Sequence, residues 1–103
     1  MKKIIDGKRY DTDTAEEIGY CSNGYRPNDL RYCLETLYRT KSGKYFLHGE
    51  GNANSRYADE RGDTSYSGQS LVPIDDAEAF EWASLHLKPH EFEHLFQHMI
   101  TDA

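Results

Sequence analysis

The segment His90-Glu91-Phe92-Glu93-His94 matches the H-E-x-x-H pattern. In that pattern two histidines one helical turn apart ligate zinc, and the glutamate after the first serves as general base. A catalytic zinc needs a third protein ligand. Only nine residues follow His94, and His98 lies one more turn along the same helix, badly placed to close a tetrahedral set. The match also sits at the first turn after Pro89, where a helix end frays. A solvated helix face is therefore expected, with no metal, no cofactor and no catalytic residue set. A metal-dependent hydrolase using His90, Glu91 and His94 is the weakest alternative. His86, His90, His94 and His98 recur every four residues and are read as surface histidines.

Two further stretches invite chemistry. Gly49-Glu50-Gly51 lacks the Lys-Ser/Thr that follows a phosphate loop, and its carboxylate would repel phosphate. It reads as a loop whose glycines supply positive φ. Tyr38, Arg39, Lys41, Lys44 and Tyr45 surround Ser42-Gly43, and tyrosines with basic neighbours can stack on single-stranded nucleic acid. The acidic balance of the whole chain opposes such binding. Cys21 and Cys33 are the only cysteines and form no C-x-x-C pair, so two reduced thiols are expected.

Carboxylates carry the strongest signal. The net charge is −6, and it is unevenly spread. Residues 46–103 hold eleven acidic side chains against three basic ones (Arg56, Arg61 and Lys88), while the first forty-five residues are net basic. Such a surplus creates a field that repels nucleic acid and attracts basic surfaces. Asp75, Asp76, Glu78 and Glu81 open one expected helix, and Glu91 and Glu93 open the next. Helix starts favour anions, which accounts for Asp75, Asp76 and Glu78 but less for Glu81. Like charges at this spacing repel. These six residues are the candidate partner-binding set, an acidic ladder standing in for a phosphate backbone.

The chain's 103 residues fit one domain, residues 1–103. Eight Tyr, four Phe and one Trp compensate for few aliphatics in building a core. The basic start has no apolar run behind it, and no window is apolar enough to cross a membrane. The expectation is a cytoplasmic monomer. Asp6-Gly7 predicts a hairpin over residues 2–10. Thr14-Ala15-Glu16-Glu17 has the capping-box pattern and predicts a helix ending at Asn23-Gly24. Residues 30–40 alternate, with Tyr32, Leu34, Thr36 and Tyr38 on one side and Cys33, Glu35, Leu37 and Arg39 on the other. A turn at Ser42-Gly43 returns the chain through residues 44–48, and apolar residues on both faces make this hairpin central. A short helix is expected over residues 56–61. Ser70 to Ile74 reads as an edge strand, since Pro73 cannot donate to a ladder. Asp75-Asp76-Ala77-Glu78 caps a helix with an apolar stripe of Phe80, Ala83 and Leu87 and with Trp82 at its edge. Pro89 starts the last helix, whose stripe is Phe92, Leu95, Phe96, Met99 and Ile100. The fold class is α+β: a small, mostly antiparallel sheet with two C-terminal helices packed against it.

The stretches KIIDGKRYDTDTA (residues 3–15) and ETLYRTKSGKYFLHGEG (residues 35–51) resemble a family of short acidic proteins of bacteria, phages and other mobile elements. Members continue with a glycine pair, a Ser, a Tyr-Ala, a Ser-Gly-rich loop and an acidic helix containing Trp. This chain has Gly51-Asn52, Ser55, Tyr57-Ala58, Ser67-Gly68 and Trp82. The resemblance covers residues 3–87. It implies no catalytic set and no enzyme. It suggests an anti-CRISPR protein, some of which imitate DNA in charge and occupy the DNA path of an effector. The expected function is a non-enzymatic acidic inhibitor of a nucleic-acid-binding complex, most specifically a type I CRISPR effector. Its partner would be a basic subunit, with no direct nucleic-acid or membrane contact. A host-directed binding module using the Tyr-rich hairpin is the alternative.

Overall fold

The computed structural model describes residues 1–103. Its first element is the expected hairpin: β1 (Lys2–Ile5) pairs antiparallel with β2 (Lys8–Asp11). Asp6 and Gly7 both take positive φ, as a type I′ turn requires.

Residues 14–22 are not helical. Asp11 accepts from the amides of Thr14 and Ala15 in a turn, and the chain then extends as β3 (Glu16–Ser22). The capping-box pattern is overridden by pairing with β4 (Cys33–Arg39). Gly19 opposes a helix and suits this strand. A Cβ there would run into the side chain of Leu87.

β4 then pairs with β5 (Tyr45–Gly51) through a turn in which Gly43 has positive φ and Thr40 donates to the Lys44 carbonyl. β5 runs three residues further than the alternation suggested. The expected helix over residues 56–61 is replaced by the end of a loop and a small hairpin, β6 (Asp59–Arg61) with β7 (Thr64–Tyr66). Gly62 has positive φ in its two-residue turn. β8 (Gly68–Ile74) completes a four-stranded antiparallel sheet of order β3-β4-β5-β8. As the alternation and Pro73 implied, β4 and β5 are central and β8 is an edge.

Two helices follow. α1 (Asp76–His86) has Asp75 as N-cap, with both arms of the capping box made: Glu78 N–H donates to Asp75 at 2.8 Å, and Asp75 N–H donates to the Glu78 carboxylate at 3.3 Å. α2 (Pro89–Phe96) begins with Pro89 and passes into a 3-10 turn, Gln97–Met99. The fold is α+β, with both helices on one face of the sheet.

Each sheet face has its own core. Under the helices, Leu37, Tyr45, Ala79, Trp82, Ala83 and Phe96 are buried together, with Phe80, Leu87, Phe92, Leu95 and Met99 partly buried around them. The buried stripe of α1 is thus Ala79, Trp82 and Ala83, with Phe80 at its flank. Phe96 stacks on Tyr45 at 5.7 Å between ring centroids. On the other face Tyr10, Phe46 and Leu71 pack together, and Ile5, Ala15 and Tyr38 close the cluster. The N-terminal hairpin is the lid of this second core. No helix is long and apolar enough to cross a membrane.

Candidate functional site

Strand alternation turns Glu35 inward, between Cys33 and Leu37 on the helix face of β4. A buried carboxylate must be paired, and three donors meet it. The Arg56 guanidinium and the Tyr57 hydroxyl both donate to Oε2. The Trp82 indole N–H donates to Oε1 at 3.3 Å. The Glu35 side chain is 12% exposed and that of Arg56 64%, so the pair spans the edge of the core.

The loop bearing Arg56 and Tyr57 is built to reach Glu35. Asn52 donates from its side chain to the carbonyls of Pro27 and Asp29 at 2.8 and 2.7 Å. Its backbone N–H donates to the Tyr32 carbonyl, and the Asn54 N–H to that of Leu30. Ser55 donates to the Asn52 carbonyl at 2.8 Å. The glycines beneath supply space. A Cβ on Gly49 would fall in the Tyr57 ring, one on Gly51 against Ser55 and Cys33, and one on Gly68 against the backbone at Tyr57–Asp59. Gly49 and Gly51 are therefore strand residues crossed closely by a loop, and the positive-φ expectation is corrected: neither has positive φ.

Donors thus reach both oxygens of Glu35. The cluster ties β4, the 52–58 loop and α1 together. On either side of Arg56 the surface is concave. One groove, of about 480 Å³, is lined by Cys21, Cys33, Arg31, Arg56 and His86 among others. A larger polar one, of about 800 Å³, runs past Tyr32, Glu50, Asn52, Tyr57 and Gln69.

Asp75, Asp76, Glu78, Glu81 and Glu93 are exposed and Glu91 is half-buried. None of the six is in an ion pair; the three pairs of the chain are Arg31–Asp29, Arg56–Glu35 and Arg61–Asp59. Asp75 and Glu78 each give one oxygen to the capping box. The six do not run as one ladder. α2 starts where α1 ends, and at ~1.5 Å per residue α1 is roughly 15 Å long. Glu91 and Glu93 stand on α2, either side of Phe92, whose ring packs 5.0 Å from that of Phe80 on α1. The set divides between Asp75, Asp76, Glu78 and Glu81 along the first half of α1 and Glu91 and Glu93 on α2.

The remaining sequence candidates are placed as follows. His86, His90, His94 and His98 are all exposed; the His86 ring lies 4.9 Å from that of Trp82. No group of three or more His, Cys, Asp or Glu side chains is arranged to hold a metal ion. In the β4–β5 hairpin, Tyr45 is buried and Tyr38 stacks on Phe46 at 5.1 Å. Burial pushes the Tyr38 hydroxyl pKa up, and the carboxylates of Glu17, Glu50 and Asp13 add to this. These tyrosines are packing groups, and Arg39, Lys41 and Lys44 are what the hairpin exposes.

Sequence reasoning did not single out Glu35, Arg56 or Tyr57. The signal was an acidic residue at an inward position of an alternating strand. Comparison with models of protein families, with curated proteins and with solved structures finds no match.

Proposed function

We propose that this protein is a non-enzymatic acidic inhibitor that docks its C-terminal helices on the basic, nucleic-acid-binding surface of a partner complex. In its most specific form the partner is the DNA path of a type I CRISPR effector, a reading that rests on the chain's small size, its acidity and the mobile-element origin of the proteins it resembles. One observation carries the docking reading. Six carboxylates stand on two adjacent helices with no basic side chain paired to any of them, whereas Glu35 is neutralised internally. Unpaired surface charge of one sign steers association with a surface of the other sign. Their division between α1 and α2 favours a partner whose basic side chains face both helices.

The test is affinity capture from cells carrying CRISPR systems, followed by kinetics on the captured partner. Reversal of Glu78 and Glu81 to Lys should slow association more than it speeds dissociation, and binding should weaken steeply with salt. Reversal of Lys41 and Lys44 should change little. Loss of binding at the hairpin with none at the helices would replace this reading by the Tyr-rich module. Binding to free DNA at physiological salt would overturn it.

A further inference from the structure

Glu78, Glu81, Trp82 and Leu85 recur at i, i+3, i+4 and i+7, so they share one face of α1. With Leu47 of β5, Ile74 of β8 and His86 they line a notch of about 250 Å³. That is below the roughly 300–1,000 Å³ of small-molecule sites and suits a single long side chain. Leu85 is 71% exposed, more than any other large apolar side chain of the protein. Trp82 cannot swing out to cover it, because its N–H is held by Glu35.

A lone exposed leucine needs no explanation. An apolar trough beside two carboxylates, neither of them ion-paired and with His86 at its rim, does constrain its occupant. A wholly apolar occupant would strip water from Glu78 and Glu81 without replacing it. A compact ion would leave Leu85 and Ile74 wet. A side chain apolar along its stem and cationic at its tip meets both demands. Arginine suits better than lysine, since its planar fork can bridge two carboxylates and lie against an indole.

We propose that this notch takes an arginine side chain of the partner and anchors the acidic docking face. This rests on the docking reading and adds to it a contact of defined chemistry. The occupant is one residue of a folded protein or peptide, held at the middle of α1 beside Glu78 and Glu81.

The probe is a short peptide with one central arginine among glycines and lysines, and its twin with citrulline, which keeps the shape and loses the charge. Binding is followed by NMR at the Trp82 indole N–H and the Leu85 methyls. The arginine peptide should shift both signals saturably, and citrulline should weaken binding about tenfold, as for loss of one charge-assisted contact. Leu85→Ser and Glu81→Gln should each weaken it about fivefold, while Asp76→Asn, outside the notch, changes it less than about twofold. All three positions are exposed, so the variants should fold, and their amide spectra check this. Equal shifts with both peptides, equal losses from Glu81→Gln and Asp76→Asn with none from Leu85→Ser, or no shift with either peptide would each overturn the notch. In none of these cases does the docking reading fall, provided Glu78 and Glu81 reversal still slows association with the captured partner. Conversely, arginine seated in the notch of a protein that captures no basic partner would overturn the docking reading alone.

Discussion

Trp82 on α1 donates its indole N–H to Glu35 on β4 at 3.3 Å, joining residues 47 positions apart. With Arg56 and Tyr57 on the other oxygen, this bond fixes the helix layer to the sheet. Glu35→Ala would leave the indole and the hydroxyl without an acceptor. The indole is buried and the hydroxyl half-buried, and a buried orphan costs about 1–3 kcal/mol, so a loss of about 1–3 kcal/mol is expected in urea unfolding. Tyr57→Phe, which removes one donor of three, should cost about 1 kcal/mol. A Glu35→Ala protein within about 0.5 kcal/mol of wild type would mean the cluster is ornamental.

Gly49 and Tyr57 test the crossing of loop over strand. Gly49→Ala places a methyl inside the Tyr57 ring, and overpacking of this kind costs about 1–3 kcal/mol. Truncating Tyr57 to Ala opens the space the methyl needs. The double variant should therefore be more stable than the two losses added, with a coupling of at least about 0.5 kcal/mol. Simple additivity would place the ring elsewhere.

Phe96 tests the docking of α2. It is wholly buried and lies near the rings of Tyr45, Phe80 and Phe92. Phe96→Ala should cost about 3–5 kcal/mol, much of the stability of a small domain. A melting point shifted by only a few degrees would show that α2 is not seated on the sheet.

Asp29 and Arg31 give a pH signature. The Arg31 guanidinium, donating through Nε and Nη2, and the Arg31 backbone N–H hold the Asp29 carboxyl down at about 2. Its value in the folded state lies below that of the unfolded chain. The pair's contribution is thus present above about pH 4, the ordinary carboxylate value, and is lost as pH falls toward 2. Carboxyl carbon NMR should find Asp29 titrating well below the ordinary carboxylate value, and Arg31→Ala should return it toward that value. An unchanged titration would remove Arg31 as the cause.

What could be read from the chain was what neighbouring residues decide among themselves. Asp6-Gly7 writes its own turn, Asp75 and Glu78 cap each other, Pro89 starts a helix, and the alternation from Tyr32 to Arg39 marks a strand without reference to anything distant. Residues 16–22 were misread because Thr14 and Glu17 carry a local helix signal, while the reason for a strand is the open edge of β4. Gly19, awkward in a helix, was the available clue. The 56–61 segment failed similarly, with Gly62 marking a hairpin turn. Glu35 could be seen to face inward, but its partners stand 21, 22 and 47 residues away. No local pattern names them. The six acids were legible as carboxylates of two helices, whereas the half-burial of Glu91 depends on how α2 packs.

The order of strands has a consequence in time. β3, β4 and β5 follow one another as antiparallel neighbours, so their pairing closes over short stretches of chain. β8 reaches β5 only after the segment between Gly51 and Gly68 has turned back, and Arg56 and Tyr57 lie within that segment. Closing the longer loop costs more entropy before it is rewarded. We therefore expect the meander to assemble before the rate-limiting barrier and the Glu35 cluster after it. Losing that cluster would then raise the unfolding rate and leave the folding rate nearly unchanged. In kinetic terms Glu35 acts as a latch, setting how long a folded molecule lasts and not how quickly it forms.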